Sequence, residues 1–426
     1  MNRASFSLVF ACFADVIGQG LAFPIFAVIL MQSGHGFISS GVSPAHGSFL
    51  YGVAVGTFFI TWFFGSLYIS RLSDSIGRKA GILICLLGAI TGYAVAVIAI
   101  MNHSFSLLVA SRAITGFTAG AQPIVAAAMI DLARNDEEKT HNLGLATVGM
   151  SFGLVIGPVI GGLFSDAEFV GPLASFQLPF MVGGLLCLIG FILIYLGFNE
   201  TKKTKISMQA NPMIVFKLIT KGLGRKKIMT VTAAFFPYML CVLGLYVFAA
   251  ANLTLRFEFG TLSTSLAMLL MGLGLAGASA YLVEPLNNRF SRKNIMTVVT
   301  SLFCVLICLF IITPWGSWAL CLMLPAGILH GVGYPTMLTA YSKTVTSDEQ
   351  GWVMGFATST FTIAASIISF LGGQLSASVS PSAPFQLAIL SGLMAIFAII
   401  YGWNPHENKE SGFRNYERRQ LFKIAD

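Results

Sequence analysis

Two short polar strings decide how this chain folds: SRLSDSIGRK at Ser70–Lys79 and EPLNNRFSRK at Glu284–Lys293. Each string interrupts a long apolar stretch, and the second begins and ends at the same offset from the first. The 426 residues around them are 56% hydrophobic and only 10% charged, with a mean hydropathy of +0.80. Soluble proteins, disordered chains and small disulfide-rich secreted domains do not have this composition. The pattern predicts a duplicated protein that crosses a membrane many times.

Apolar stretches of about 20 residues, the length that a helix needs to cross a bilayer, fill nearly the whole chain. Six lie before a basic segment and six after it. The spans predicted for the first half are Ser5–Met31, Ser48–Leu72, Ala80–Met101, Ser106–Asp131, Asn142–Phe164 and Phe176–Phe198. Those of the second half are Ile228–Thr254, Leu262–Val283, Ile295–Thr313, Trp318–Tyr341, Trp352–Leu375 and Pro384–Trp403.

Lysine and arginine residues indicate the orientation, because basic residues beside a span resist transfer across the membrane. Of the 25 Lys and Arg residues, all except Arg112 and Arg256 fall on the side where the chain starts. Both termini are therefore predicted to be cytoplasmic. This topology also accounts for the formal net charge of +8. Anionic membrane lipid is the expected partner of the basic segments, and nucleic acid is not.

The predicted fold class is an all-α membrane protein of two six-helix bundles. The first bundle covers residues 1–198, a basic cytoplasmic linker 199–227, the second bundle 228–403 and a cytoplasmic tail 404–426. In a protein built from two such repeats, the substrate path lies between them near the middle of the bilayer. The first span has no cleavage site after it and is expected to be retained, and the seven cysteines are interpreted as packing residues.

The chain lacks the phosphate-binding string Gly-x-x-x-x-Gly-Lys, and its longest inside segment is too short for a nucleotide-binding domain. The predicted spans also lack clustered nucleophile, histidine and acid residues and paired metal ligands. We therefore expect no catalytic residues, no metal and no cofactor. An ion gradient, and not ATP, is the expected energy source.

The loop at Ser70–Lys79 contains an acid and a cation four residues apart, Asp74 and Arg78, with Gly77 in the turn and Lys79 after it. A carboxylate there can pair locally and can also face the positive N-terminus of a neighbouring helix. The string resembles the first signature of the major facilitator superfamily, Gly-x-Leu-Ala-Asp-Arg-x-Gly-Arg-Lys. Serines replace the opening glycine and the first basic residue of that signature.

The resemblance implies that this loop acts as a latch, meaning a contact that holds one conformation closed. Asp74 would cap the start of span eleven near Gly351, and Arg78 would reach Asp131 at the cytoplasmic end of span four. The second-half string has Asn288 in place of the acid and is a degenerate copy.

Span five carries glycines at four-residue spacing, together with a proline and a further glycine: Gly149, Gly153, Gly157, Gly161, Pro158 and Gly162. Such glycines form one smooth stripe that lets another helix backbone approach closely, and the proline allows a bend. The string GLVIGPVIGG resembles the Gly-x-x-x-Gly-Pro-x-x-Gly-Gly signature of the drug:proton antiporter branches of the superfamily, with every position filled. The resemblance implies export over uptake.

Asp15 is the one acidic residue well inside a predicted span. A charged carboxylate at that depth costs at least about 2.5 kcal/mol, and apolar surroundings favour its neutral form, so we interpret Asp15 as a proton carrier. Gln19 and Phe23 follow on the same helix face and would add a hydrogen-bonding amide and an aromatic wall. The stretch from Asp15 to Pro24 resembles the first helix of tetracycline-type exporters.

Span four carries Arg112 and, one turn later, Gly116. This part resembles the Arg-x-x-Gln-Gly signature of the superfamily, with Thr115 in place of the glutamine. The predicted depths of Asp15 and Arg112 differ by roughly 15 Å, at a rise of about 1.5 Å per residue. We therefore expect Arg112 to bind backbone carbonyls of span one and to tune the proton site without touching Asp15.

His330 in span ten is the only histidine within a predicted span, and Tyr334 follows one turn later. Histidine titrates near neutral pH, which suits a second proton relay, and a packed, hydrogen-bonded histidine is the alternative. Phe235 and Tyr238, near the start of span seven, are predicted to line a hydrophobic substrate cavity. The other predicted cavity residues are Gln19, Phe23, Gly116 and Tyr334.

Together these observations predict a secondary active transporter that exports a small lipophilic molecule in exchange for protons by alternating access. An uptake symporter for a nutrient or a metal-chelating ligand is the alternative on the same fold, and a channel or membrane enzyme is more remote. We expect a monomer in a bacterial inner membrane, with the substrate, protons and lipids as its partners. The substrate itself does not follow, because a few variable side chains select it on a shared scaffold.

Overall fold

The computed structural model describes residues 3–32, 37, 44–202, 220–346 and 349–403. These residues are almost entirely helical, and no strand occurs among them. They contain 12 helical spans that are long and apolar enough to cross a membrane, which confirms the predicted number and the all-α class. The predicted tail and most of the predicted linker lie outside the described residues.

The first half contains six spans and one short connecting helix. Its helices are α1 (Arg3–Met31), α2 (Pro44–Ile76), α3 (Arg78–Met101), α4 (Phe105–Thr118), α5 (Ala121–Asp131), α6 (Asp136–Ser165), α7 (Ala167–Val170) and α8 (Leu178–Gly197). Most ends lie within about one turn of the predicted ones. The start of α6 comes earlier than predicted, because the side chain of Asn135 caps it by accepting a hydrogen bond from the backbone N–H of Glu138.

The second half also contains six spans and one short helix. Its helices are α9 (Lys226–Phe257), α10 (Thr261–Tyr281), α11 (Val283–Arg289), α12 (Arg292–Ile312), α13 (Gly316–Ser342), α14 (Gln350–Ser378) and α15 (Ala383–Gly402). The two copies of the polar string start their following helices differently. Gly77 precedes α3 with φ of 117°, a backbone conformation that side chains disfavour, whereas Ser291 caps α12 by accepting a hydrogen bond from the N–H of Asn294.

The predicted fourth span, Ser106–Asp131, is broken into α4 and α5. Ala119 and Gly120 lie between them in non-helical conformations. Pro123 explains the break, because a proline lacks the N–H that would bind the carbonyl four residues earlier, here that of Ala119, and its ring crowds that carbonyl. The helix α5 therefore presents a new N-terminus, with free backbone N–H groups, inside the first bundle.

The spans of each half pack mainly on one another, so the molecule consists of two bundles that share a long interface. Across this interface α2 packs on α14, α6 packs on α10, and α1 touches α9. We name the two ends of the molecule by charge. The basic end carries the loop with Arg78 and Lys79 and its copy with Arg292 and Lys293, and the far end is the opposite one. The sequence predicts that the basic end faces the cytoplasm.

At the far end the two bundles are in direct backbone contact. A methyl group built on Gly52 of α2 would lie 2.5 Å from the carbonyl oxygen of Ser369 in α14, and one built on Gly373 would lie 2.8 Å from the Cα of Gly52. The hydroxyl of Tyr51 donates a hydrogen bond of 2.7 Å to the carbonyl oxygen of Val247 in α9. The far end is therefore closed in this conformation.

Candidate functional site

The glycine stripe of α6 lies directly on the backbone of α1. Methyl groups built on its four glycines would lie 2.5 to 3.0 Å from carbonyl oxygens of α1, which are themselves four residues apart. The contacts are Gly149 with Val9, Gly153 with Phe13, Gly157 with Ile17, and Gly161 with Leu21. Pro158 packs on Gly20, and Gly162 packs on Ser265 of α10. The stripe thus fixes α6 against the helix that carries Asp15 and also reaches the second bundle.

The carboxylate of Asp15 lies against the N-terminus of α5. The residue is only 7% exposed, and the backbone N–H of Ala121 donates a hydrogen bond to its carboxylate. The oxygen Oδ2 has no hydrogen-bond partner among the described residues. No ion pair involves Asp15 in the described part of the chain. One helix N-terminus is therefore its only resolved stabilising partner, and a proton on Oδ2 would remove an unpaired buried charge.

The residues around Asp15 include four that the sequence did not single out as functional. Cys12 lies one turn before it on α1, and Cys85, Tyr93 and Cys187 approach it from α3 and α8. The hydroxyl of Tyr93 packs against Gly18, where any side chain would collide with it. An aromatic residue in an apolar span carries no signal that distinguishes this position, so Tyr93 could not be predicted from sequence.

The guanidinium of Arg112 lies over two aromatic rings. Its central carbon is 4.2 Å from the ring centre of Phe58 and 5.6 Å from that of Phe26. The hydrogen bonds that we expected to carbonyls of α1 are absent among the described residues, and Nε has no partner there. Cation–π attraction stands in their place. Tyr93 lies close to both Arg112 and Asp15.

Phe23 lies where α1 meets the second bundle, and Gln19 lies one turn before it on α1. The ring of Phe23 meets that of Tyr246 in α9 edge-on, with ring centres 5.3 Å apart. Phe23 also borders a very small space, about 10 Å³, that Pro158 of α6 shares with residues of α10. Gln19 is partly buried, and its Nε2 has no hydrogen-bond partner among the described residues. Phe23 is therefore at the interface between the bundles, and Gln19 is a buried donor without a resolved acceptor.

Three residues predicted to line the cavity lie instead in the packed interior of their own bundles. Gly116 sits against the backbone carbonyl of Phe58, where a side chain would collide, so it serves contact between α4 and α2. Phe235 and Tyr238 are fully buried in the second bundle, and the hydroxyl of Tyr238 packs against Gly333 of α13. In this conformation all three are packed within their bundles, and their role in a substrate cavity stays a prediction.

His330 and Tyr334 belong to a row of aromatic contacts that crosses the interface. The ring centres of His330 and Tyr334 are 5.6 Å apart, those of Tyr334 and Phe361 are 6.1 Å apart, and those of Phe361 and Trp62 in α2 are 5.9 Å apart. Nδ1 of His330 has no hydrogen-bond partner among the described residues. The proton-relay role of His330 stays a prediction.

A cavity of about 280 Å³ lies toward the basic end, between α1, α2, α5 and α6 and bordered by α14 of the second bundle. Its described lining is Cys12, Trp62, Ser66, Ala119, Gln122, Pro123, Ala126, Leu143, Ala146, Thr147, Met150 and Thr358. Cys12 is on the same face of α1 as Asp15, one turn away. The cavity therefore reaches the neighbourhood of the buried acid from the basic end, while the far end is closed.

The latch residues are assembled within the first bundle. Arg78 pairs with Asp74 at 2.9 Å and approaches Asp131 at 3.6 Å, as the resemblance implied. Asp74 does not cap α14, however, because it pairs at 2.6 Å with Lys202 at the start of the linker. The space around Gly351, where a methyl group would meet nothing within 4 Å, is open. In this conformation Asp74 therefore has its partner in the linker and not at the start of α14.

The start of the linker is bound to the same loop. The carboxylate of Glu200 accepts hydrogen bonds from the backbone N–H groups of Arg78 and Lys79, so it caps α3. The ammonium of Lys79 donates to the carbonyl oxygen of Tyr195 at 2.8 Å and lies over its ring. Thr201 donates to the carboxylate of Asp131. Glu200 was missed by sequence reasoning, although an acid directly after a span and before a run of lysines is a usable signal.

The other end of the linker is bound to the second bundle. Glu349 precedes α14, and its carboxylate is held by Lys221 at 2.8 Å and by two nitrogens of Arg225. Hydrogen bonds from Arg225 and Lys221 lower the pKa of Glu349 to about 2. Both cations also lie over the ring of Trp352. The two described ends of the linker are thus attached to different bundles, one to the latch loop and one to the start of α14.

Comparison with known proteins agrees with this architecture. The sequence profile of the Major Facilitator Superfamily matches residues 8–369 and 234–423. The chain is 25% identical to the quinolone resistance protein NorA of Staphylococcus aureus (strain MRSA252) over 409 residues, which are 94% of this chain and 96% of that protein. It is also 25% identical to the class C tetracycline resistance protein of Escherichia coli over 363 residues, 83% of this chain and 85% of that protein.

Solved structures share the fold at low sequence identity. The D-xylose-proton symporter superposes with a TM-score of 0.70 at 16% identity, covering 94% of this chain and 97% of that one. An auto-inhibited peptide transporter of the POT family superposes with a TM-score of 0.71 at 15% identity, covering 93% and 96%. Because the profile extends over nearly all of the spans and the bundles match those of solved transporters, this chain belongs to the Major Facilitator Superfamily.

Proposed function

We propose that this transporter is a proton-coupled exporter of a small lipophilic molecule in a bacterial inner membrane. Two independent features support export over uptake. The stripe on α6 fills every position of the antiporter signature, and its glycines hold α1 and α6 at backbone distance. Two relatives that match most of the chain are named for resistance to quinolones and to tetracycline.

The surroundings of the Asp15 carboxylate are the observation that supports proton coupling. Its carboxylate is buried, lacks an ion-pair partner among the described residues, and has one oxygen without a hydrogen bond. A structural acid at that depth would be expected in a closed ion pair or in a full set of hydrogen bonds. An acid that alternates between charged and neutral forms needs a site that tolerates both, which a single helix N-terminus beside apolar residues provides.

In the proposed cycle, the protonation of Asp15 is coupled to the alternate opening of the far end and the basic end. Asp15 takes a proton when the far end is open and releases it toward the basic end, and substrate moves in the opposite direction. Each charge that crosses the membrane makes available about 2.3 kcal/mol per 100 mV, so one or two protons per cycle sustain a useful concentration ratio. When the basic end closes, Asp74 exchanges Lys202 for the N-terminus of α14, and the latch engages.

Transport in membrane vesicles of opposite orientation tests this proposal. Inverted vesicles that contain the chain should accumulate tetracycline or a fluoroquinolone when an inside-acid gradient is imposed, and a protonophore should abolish the accumulation. Right-side-out vesicles should not accumulate either drug. Accumulation in right-side-out vesicles alone would show an uptake symporter, and a flux that neither saturates nor responds to the gradient would show a channel.

A further inference from the structure

The cavity at the basic end is lined by residues whose chemistry restricts the ligands that it can bind. This inference rests on the proposed export function and takes the cavity as the place where the substrate enters from the basic end. None of its described lining residues carries a charge. Asp15, one turn from Cys12 on α1, is not among the lining residues. An organic cation that enters this cavity would leave water without gaining a counter-charge at the wall.

Three hydroxyl groups of the lining are oriented by their own helices. Thr147 donates to the carbonyl oxygen of Leu143 at 2.9 Å, Thr358 donates to that of Met354 at 3.0 Å, and Ser66 donates to that of Phe63 at 3.2 Å. Because each hydroxyl has one hydrogen and it is already used, only the oxygen lone pairs remain for a ligand. The cavity therefore presents hydrogen-bond acceptors from α6, α14 and α2.

The side-chain amide of Gln122 in α5 also lines the cavity and can both donate and accept hydrogen bonds. This side chain makes no hydrogen bond within the described part of the chain, so its oxygen and its nitrogen are both available. The lining then offers four acceptor oxygens, three from hydroxyls and one from the amide, and three donor groups, the Gln122 amide nitrogen, the Trp62 indole N–H and the weak Cys12 thiol. A ligand that carries hydroxyl or amine hydrogens suits such a wall better than a ligand that carries only acceptors.

Trp62 supplies a flat apolar wall. Its ring is held by Phe58, Phe59 and Phe361, with ring centres 5.7, 6.1 and 5.9 Å away. Phe361 belongs to the second bundle, so the orientation of this wall depends on how the bundles meet. An indole fixed in this way favours planar aromatic ligands, which stack on it with little loss of side-chain freedom.

We propose that this cavity selects uncharged, planar aromatic molecules that carry hydrogen-bond donors, over permanently charged aromatic cations of the same size. The acceptors on three helices and the indole of Trp62 recognise the ligand together. Thr358 belongs to the second bundle and the other two hydroxyl residues belong to the first. A ligand that donates hydrogen bonds to both sets therefore links the two bundles at the basic end.

Three two-ring compounds of similar size test this selection by equilibrium binding to the purified full-length protein. They are 1-naphthol, which is neutral and has a donor, 1-methoxynaphthalene, which is neutral and has none, and N-methylquinolinium, which is a permanent cation. We expect saturable binding of 1-naphthol to be about tenfold tighter than that of 1-methoxynaphthalene, the difference for one hydrogen bond. Binding of N-methylquinolinium should be weaker still. Equal or tighter binding of the cation, or no saturable binding of 1-naphthol, overturns the proposal.

Substitutions that remove acceptors without changing shape locate the site. Thr147→Val and Thr358→Val should each weaken 1-naphthol binding by about five- to tenfold and leave 1-methoxynaphthalene unchanged. Thr91→Val is the matched control, because Thr91 makes the same bond to its own helix but is exposed on α3. Unchanged 1-naphthol binding in both variants would contradict the assignment. These measurements need no proton gradient, so selective binding without transport would refute the proposed export and leave the ligand class standing.

Discussion

The two ends of the interface between the bundles are held by different means. At the far end the contact is made by backbone and small residues, with Gly52 of α2 against Gly373 of α14. At the basic end a cavity lies among helices of the first bundle and is bordered by Thr358 of the second. Charged residues bind the described ends of the linker there, as in the pair of Lys202 with Asp74. Backbone contact forms only when the helices meet closely, whereas a charged side chain can exchange one partner for another at a small difference in free energy.

In the proposed cycle, this difference divides the work of alternating access between the two ends. The far end provides a contact that is either made or lost, and the basic end provides a latch in which Asp74 exchanges Lys202 for the N-terminus of α14. Changes in the packed glycines should therefore have large effects, and changes in the charged groups should have small, graded ones. The predictions below follow that order.

The largest effect is expected where the glycine stripe meets α1. In Gly157→Ala the new methyl group would lie 2.5 Å from the carbonyl oxygen of Ile17, so α1 and α6 must separate. We expect destabilisation of about 1–3 kcal/mol or more and loss of transport, measured by thermal unfolding and by vesicle uptake. Gly144→Ala on the same helix is the control, because nothing lies within 4 Å of its added methyl group. Equal behaviour of the two variants would contradict the role of the stripe.

The far-end contact should control the balance between conformations. In Gly373→Ala the added methyl group would lie 2.8 Å from the Cα of Gly52. This disfavours the closed far end by about 1–3 kcal/mol, which changes the populations by about 5- to 160-fold. Spin labels at exposed His46 and Val379, in a chain whose exposed cysteines are replaced, should move apart. Gly277→Ala, which has open space around it, should leave the distance distribution unchanged. If Gly373→Ala leaves the distance distribution unchanged too, the contact between Gly52 and Gly373 does not close the far end.

The latch should give a smaller shift in the same direction. Lys202→Ala frees Asp74 to bind the N-terminus of α14, so the state with a closed basic end and an open far end gains population. Because the pair is partly exposed, the expected effect is at most about 1 kcal/mol, or about fivefold. The same labelled positions measure the shift, and Lys226→Ala, at an exposed residue at the start of α9, is the control. A shift toward the closed far end would mean that Lys202 does not compete with α14 for Asp74.

The smallest effect is expected from removing the charge of Glu349, which precedes α14. This effect on stability depends on pH. The pKa of Glu349 is lowered from 4.5 to about 2 by Arg225 and Lys221, so its contribution to stability is complete above pH 4.5 and is lost as the pH falls toward 2. The Tm of the wild type should exceed that of Glu349→Gln by a constant amount from pH 6 to 8. The difference should shrink below pH 4.5 and vanish near pH 2. A difference that changes between pH 6 and 8 would mean that another group is responsible.

The sequence predicted the spans well because the bilayer imposes one physical requirement on all of them. A run of apolar residues must be long enough to cross, and basic residues mark one side. The break in span four was missed, although Gly120 followed by Pro123 is a local signal that could have found it. The glycine stripe was read correctly as a surface for close approach because its spacing alone defines one face of a helix.

The lining of the cavity could not be predicted in the same way. Which face of a span meets the interface depends on the rotation of the helix, and a uniformly apolar helix gives no sign of it. Gln122 and Thr147 line the cavity of this conformation without having been predicted, whereas Phe235 and Tyr238, which were predicted to line one, are fully buried here. The partner of Asp74 depends on the conformation, which no single sequence motif encodes.

Substitution of Asp15 tests the central claim most directly, since it separates coupling from binding. Asp15→Asn keeps the size of the side chain and removes the proton site. Reconstituted in liposomes, this variant should exchange labelled for unlabelled drug at close to the wild-type rate but should not accumulate drug in response to a proton gradient. Glu168→Gln, at an exposed acid of α7, should retain both activities. Accumulation driven by the proton gradient in Asp15→Asn would contradict the account.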